Sequence, residues 1–146
     1  MSPDQLLTAA NDFGTPLYVY DADAAIRRIE TLRRLFGGRF GVSYAIKANP
    51  NLRLLTALWP HLDTFDASSF AEVERALAAG APAARVSFSG PAKRPAEITG
   101  AIDRGVGELV IENLEEAALA GAYASRHGVE QPVLVRINPM RVPRSF

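Results

Sequence analysis

Phe40-Gly41-Val42-Ser43-Tyr44-Ala45-Ile46-Lys47-Ala48-Asn49-Pro50 is the stretch that decides the fold. Residues 40–46 are apolar, aromatic and β-branched enough to form a buried strand. Lys47 stands at the end of that strand. A lysine in such a place is expected to have a buried stem and an enclosed amine, which makes it a competent amine nucleophile.

Reading outward, the same grammar repeats. Downstream, residues 51–59 read as a helix that Pro60 stops, and residues 63–66 as a short strand. Ser68 or Ser69 caps a helix that runs to Ala79, with Glu72 in its first turn and Gly80 just past its end. Residues 85–89 form a strand and residues 90–94 a loop. Pro95 suits the first turn of a helix that reaches about Asp103. Residues 108–111 are the next strand. Asn113 caps a helix over residues 114–126, and residues 132–137 are the last strand before Asn138-Pro139 breaks the pattern. Upstream, Asp21 or Asp23 caps a helix over residues 24–36, where Ile26, Ile29, Leu32, Leu35 and Phe36 recur at helical spacing and Gly37-Gly38 ends the run. Thr15-Pro16-Leu17-Tyr18-Val19-Tyr20 reads as a strand.

Strands alternating with helices predict an α/β fold with a parallel sheet. Such a sheet either opens as a doubly wound layer or curves into a barrel, and periodicity does not choose between them. No Gly-x-Gly-x-x-Gly or phosphate-loop motif follows any strand, which argues against a nucleotide-binding sheet. About five barrel-type strands fit in 146 residues, whereas a full barrel needs eight over about 250 residues.

Composition narrows the function. The 16 basic and 16 acidic side chains cancel, so no basic field for nucleic acid or a membrane surface is expected. No apolar run approaches the ~20 residues of a membrane span. There is no cysteine, and His61 and His127 lack ligand spacing, so no metal site is expected. With no secretory signal pattern at the N-terminus, cytoplasm is the expected compartment.

Reactive groups in parallel α/β folds sit at the carboxyl ends of strands. Here those ends carry Lys47, Asp66, Ser89 with Gly90, Glu112 with Asn113, and Arg136 with Asn138. Polar strand ends also serve as helix caps, and capping is the preferred account of Glu112 and Asn113. The arginines at 27, 28, 33 and 34 read as one solvated helix face. Lys93 and Arg94 read as surface residues of a loop, and Trp59 as core or rim packing.

Tyr44-Ala45-Ile46-Lys47-Ala48-Asn49-Pro50 resembles the cofactor-lysine motif of the fold-type III pyridoxal-phosphate decarboxylases, which act on ornithine, arginine or diaminopimelate. Thr15 to Asp21, Phe65-Asp66-Ala67-Ser68-Ser69 with Glu72, and Val135-Arg136-Ile137-Asn138-Pro139 resemble further family stretches in order and spacing. The resemblance implies the N-terminal portion of a (β/α)8 TIM-type barrel of the alanine-racemase-like group. Residues 1–22 would contribute a strand to a second β domain, residues 23–139 the barrel portion, and residues 140–146 a truncated tail.

The resemblance also implies pyridoxal 5'-phosphate as cofactor, held by Lys47, with Arg136 near its phenolic oxygen and Asp66 close to the lysine. Glu72 matches a nearby helix carboxylate. It implies a small amino-acid substrate and a homodimer in the full-length protein. Diaminopimelate decarboxylase is the most similar member, although the loop at residues 87–93 departs from it and leaves another basic or carrier-linked amino acid open as substrate. Racemases of the group continue past the lysine with Ala-Asp-Ala-Tyr-Gly-His, whereas Ala48-Asn49-Pro50-Asn51 favours decarboxylation. A non-catalytic cofactor-binding or interaction fragment is the other alternative. The family's histidine over the ring, glycine-rich phosphate loop and acidic partner of the pyridine nitrogen have no counterpart here, so this chain alone is expected to be inactive.

Overall fold

A computed structural model describes residues 1–138. Its five strands are β1 (Ser43–Ala45), β2 (Thr64–Ala67), β3 (Val86–Phe88), β4 (Glu108–Ile111) and β5 (Val133–Val135). They form one parallel sheet in the order β1-β2-β3-β4-β5. Doubly wound sheets reverse direction at a switch point. This order never reverses, so right-handed crossovers place every connecting helix on the same face. That is the progression of a barrel wall.

The helices are α1 (Pro3–Phe13), α2 (Ala22–Phe36), α3 (Leu52–Leu58), α4 (Phe70–Ala78), α5 (Pro95–Arg104) and α6 (Leu114–His127). Their starts follow from the caps. Asp21, Asn51, Ser69 and Asn113 each accept a backbone N–H from the first turn of α2, α3, α4 and α6. Gly37, Gly105 and Gly128 end α2, α5 and α6 in the left-handed conformation, where glycine carries no Cβ penalty.

One face of the sheet is sealed by helices. Phe65, Ala67, Val86, Phe88, Leu109 and Ile111 are buried there with Leu55, Leu58, Val73, Ala76, Ile98 and Ala101. Side chains alternate along a strand, so Asp66, Ser87 and Val110 take the opposite face, where they are only half-buried. Register confirms the grouping, since Ala45 aligns with Asp66 and Asp66 with Ser87. The second face is more open and is lined by a mixture of polar and apolar side chains, among them Asp66, Ser87 and Val110.

Several expectations change. Residues 15–20 lie outside any strand, and the helix before them, α1, has no counterpart in the sequence reading. It starts from a Ser2 cap with Pro3 in its first turn, and none of its residues is buried. β1 is also shorter than residues 40–46, because Ile46–Ala48 turn into a 3-10 helix. Pro139 and the tail at residues 140–146 lie outside the described residues.

Candidate active site at the carboxyl rim of the sheet

Parallel strands present all their carboxyl ends on one rim. The Lys47 segment is built there by local bonds. The Asn49 N–H donates to the Ile46 carbonyl at 3.1 Å, closing the turn. Asn49 Oδ1 accepts the Asn51 N–H at 3.0 Å, and Asn51 Oδ1 accepts from Arg53 and Leu54 as the cap of α3. Arg75 donates to the Pro50 carbonyl at 3.2 Å. The Tyr44 hydroxyl makes a long bond of 3.5 Å to the Asn49 carbonyl. Burial, with help from Tyr20, pushes that hydroxyl above its ordinary value, so it remains a donor at neutral pH.

Ile46 is fully buried as the anchor of the turn, and Lys47 beside it is exposed. This corrects the expectation of an enclosed amine. A residue leaving a strand through a 3-10 turn no longer follows the strand into the core. None of the ion pairs among the described residues involves Lys47.

Asp66, at the rim end of β2, accepts a short hydrogen bond from the Ser89 hydroxyl. The loops after β2 and β3 touch closely here. A Cβ on Gly90 would stand 2.0 Å from the Ser68 carbonyl oxygen, so only glycine allows this approach. Glu72 is engaged locally. Its Oε2 accepts the Ser68 N–H at 2.7 Å, while Ser69 Oγ accepts the Glu72 N–H at 3.2 Å. Its role is to fasten the end of β2 to the start of α4.

At the far end of the rim, Arg136 pairs with Glu112, Nη1 to Oε1 at 3.0 Å. Glu112 is thus a partner for Arg136, while Asn113 alone caps α6. Lys93 is not a surface residue either. Its side chain is 0% exposed and its Nζ lies 3.2 Å from Oε2 of Glu116, itself 5% exposed. Glu116 was overlooked in the sequence because it reads as an ordinary first-turn carboxylate. The one signal was the repeat of the Ser69/Glu72 spacing at Asn113/Glu116.

The structure therefore brings Asp66 to Ser89 and Arg136 to Glu112, but it joins neither pair to Lys47. β1 and β5 are four strand spacings apart, roughly 19 Å along the sheet. Lys47 and Arg136 can act on one molecule only if it spans the rim between β1 and β5.

Residues 22–142 match the family described as pyridoxal-dependent decarboxylase, pyridoxal binding domain. The chain belongs to the pyridoxal-dependent decarboxylase family. Among similar family members, diaminopimelate decarboxylase of Neisseria meningitidis serogroup B is 40% identical over 131 residues, covering 89% of this chain and 32% of that protein. The Deinococcus radiodurans diaminopimelate decarboxylase is 42% identical over 142 residues, covering 95% and 34%. The crystal structure of the Helicobacter pylori diaminopimelate decarboxylase complexed with L-lysine superposes with a TM-score of 0.80 at 32% identity, over 94% of this chain and 34% of that one. The chain spans about a third of the length of these relatives. The decarboxylase fold is thus the one expected from the Lys47 motif, and the family's cofactor is pyridoxal.

The described residues fit part of such a cofactor site. They offer an exposed amine on a locked turn and a planar cation at the same rim, and Asn49 Nδ2 is buried without a hydrogen-bond partner among the described residues.

Proposed function

We propose that this chain is the lysine-bearing portion of a pyridoxal-phosphate-dependent amino-acid decarboxylase acting on diaminopimelate or a closely related substrate. The observation that carries the reading is the exposed Lys47 on a turn fixed by Asn49 and Asn51, at the rim shared with Asp66 and Arg136. The substrate class draws on the curated relatives and on the L-lysine in the Helicobacter structure. L-lysine is what remains when diaminopimelate loses one carboxylate.

Lys47 would hold the cofactor through its amine, and Arg136 would donate to a ring oxygen with a guanidinium that stays charged at all working pH values. Bound there, the cofactor would supply an electron sink for the pair of electrons left when the carboxylate departs. Asp66 would orient polar groups near the lysine from its place beside Ser89. Ion pairing does not occupy the Lys47 amine within the described residues, which suits a group that must exchange partners.

The less buried second face admits water. Excluding it is what strengthens electrostatic interactions in an active site, so this chain alone is proposed to be inactive. The full-length protein is proposed to be a cytoplasmic homodimer. Nothing at the rim favours racemisation over decarboxylation.

Adding pyridoxal 5'-phosphate, reducing with borohydride and mapping the modified peptide tests the assignment. The expected result is cofactor fixed to Lys47, with labelling lost in Lys47→Ala. Labelling at Lys93 or at the N-terminal amine in place of Lys47, or labelling unchanged in Lys47→Ala, would overturn it.

A further inference from the structure

We propose that Glu112 is a positioning residue for Arg136, and that the buried Lys93–Glu116 pair holds Glu112 in place for that task. The proposal rests on the reading that Arg136 meets the cofactor.

The comparison that carries it lies within the chain. After β2, the N3 carboxylate of α4, Glu72, accepts the Ser68 N–H while Ser69 caps the helix. After β4 the device recurs. Glu116 Oε2 accepts the Glu112 N–H at 3.1 Å, and Asn113 Oδ1 accepts the Glu116 N–H at 2.8 Å. Fastening a strand end to a helix thus needs only the carboxylate and the cap. Two groups are added at β4. Lys93 brings a buried ammonium to Glu116, and the position equivalent to Ser68 carries a carboxylate, Glu112, that reaches Arg136.

Burying the Lys93–Glu116 pair is costly for stability alone, since both ions give up their hydration. They form a continuous path, from Lys93 Nζ to Glu116 Oε2, to the Glu112 N–H, to Glu112 Oε1, to Arg136 Nη1. Arg136 needs such a tether. It follows β5, and its side chain is 53% exposed against 21% for Glu112. An arginine left free there would sample many rotamers. The Glu112 carboxylate restricts it and also offsets its charge.

The test uses the chain with pyridoxal 5'-phosphate, following the pH midpoint of the visible band that depends on Lys47. Glu112→Gln keeps the shape and removes the charge. Arg136 then loses the carboxylate that restrains it, and the altered placement of its guanidinium shifts the midpoint, by on the order of half a unit. The same substitution in an Arg136→Gln background is expected to produce no shift. Glu112→Asp, which keeps the charge on a shorter arm, should restore part of the midpoint, and circular dichroism checks that each variant is folded. A midpoint unmoved by Glu112→Gln, or moved equally in both backgrounds, overturns the proposal and leaves Arg136's assignment standing. A band indifferent to Arg136→Gln overturns that assignment, and a wild-type chain with no Lys47-dependent band overturns the cofactor reading. In either case the proposal falls with it.

Discussion

At the scale of single residues, Lys93 and Glu116 are the most consequential pair in the described fold. Their side chains are shielded from water and the lysine Nζ also lies 5.6 Å from the Phe88 ring centroid. Ala92, next to Lys93 in the chain, has a φ of 51°, a region that costs an L-residue roughly 1–2 kcal/mol. Removing the ammonium leaves Glu116 buried without its counter-charge. Lys93→Ala is therefore expected to destabilise the fold by about 3 kcal/mol or more, read as a lower midpoint in urea unfolding. A loss under about 1 kcal/mol would mean that water replaces the amine without difficulty. Sequence alone pointed to a surface lysine because loop lysines are mostly exposed; the partner that changes this is 23 positions away.

At the scale of elements, α2 is fastened to β2 by Asp63. Its carboxylate accepts the Val42 N–H at 2.6 Å and the Arg33 guanidinium at 2.7 Å, and Arg33 also donates to the His61 carbonyl. Arg33 thus leaves the solvated face expected of it. The Val42 N–H, followed by Arg33, holds the Asp63 carboxyl below its ordinary value of 3.8. A carboxylate shifted down in the folded state contributes stability at pH values above 3.8, and that contribution disappears as pH falls through the lower folded value. Asp63→Asn is expected to cost about 1 kcal/mol at neutral pH, with the difference from wild type vanishing in strong acid. Thermal unfolding measured across pH checks both parts. A difference that stays constant down to the lowest pH would show that geometry, not charge, makes the contact.

At the scale of the whole molecule, the sheet is asymmetric. Its helix side is sealed, while β5 presents an unpaired edge among the described residues. Around it Val135 and Ile137 are 70% and 83% exposed, and Val133 and Leu134 are about half exposed. Unpaired apolar edges recruit other strands. The chain is expected to self-associate with rising concentration, and Val135→Lys is expected to reduce this. Sedimentation velocity over a range of concentrations provides the check, with a clean monomer at high concentration as the contrary result. No described helix is long and apolar enough to cross a membrane.

The strand–helix alternation, the caps Asp21, Ser69 and Asn113, and Lys47 at a strand end were legible in the sequence, because each rests on neighbours within a few residues. The choice of a barrel progression over a doubly wound sheet was not, since strand order is set by packing between distant segments. The exposure of Lys47, the fastening role of Glu72, the pairing of Glu112 with Arg136 and the burial of Lys93 against Glu116 were likewise decided only by tertiary structure. In the last two pairs the partners lie more than a strand and a helix apart along the chain, and only the parallel register of the sheet brings their charges within reach.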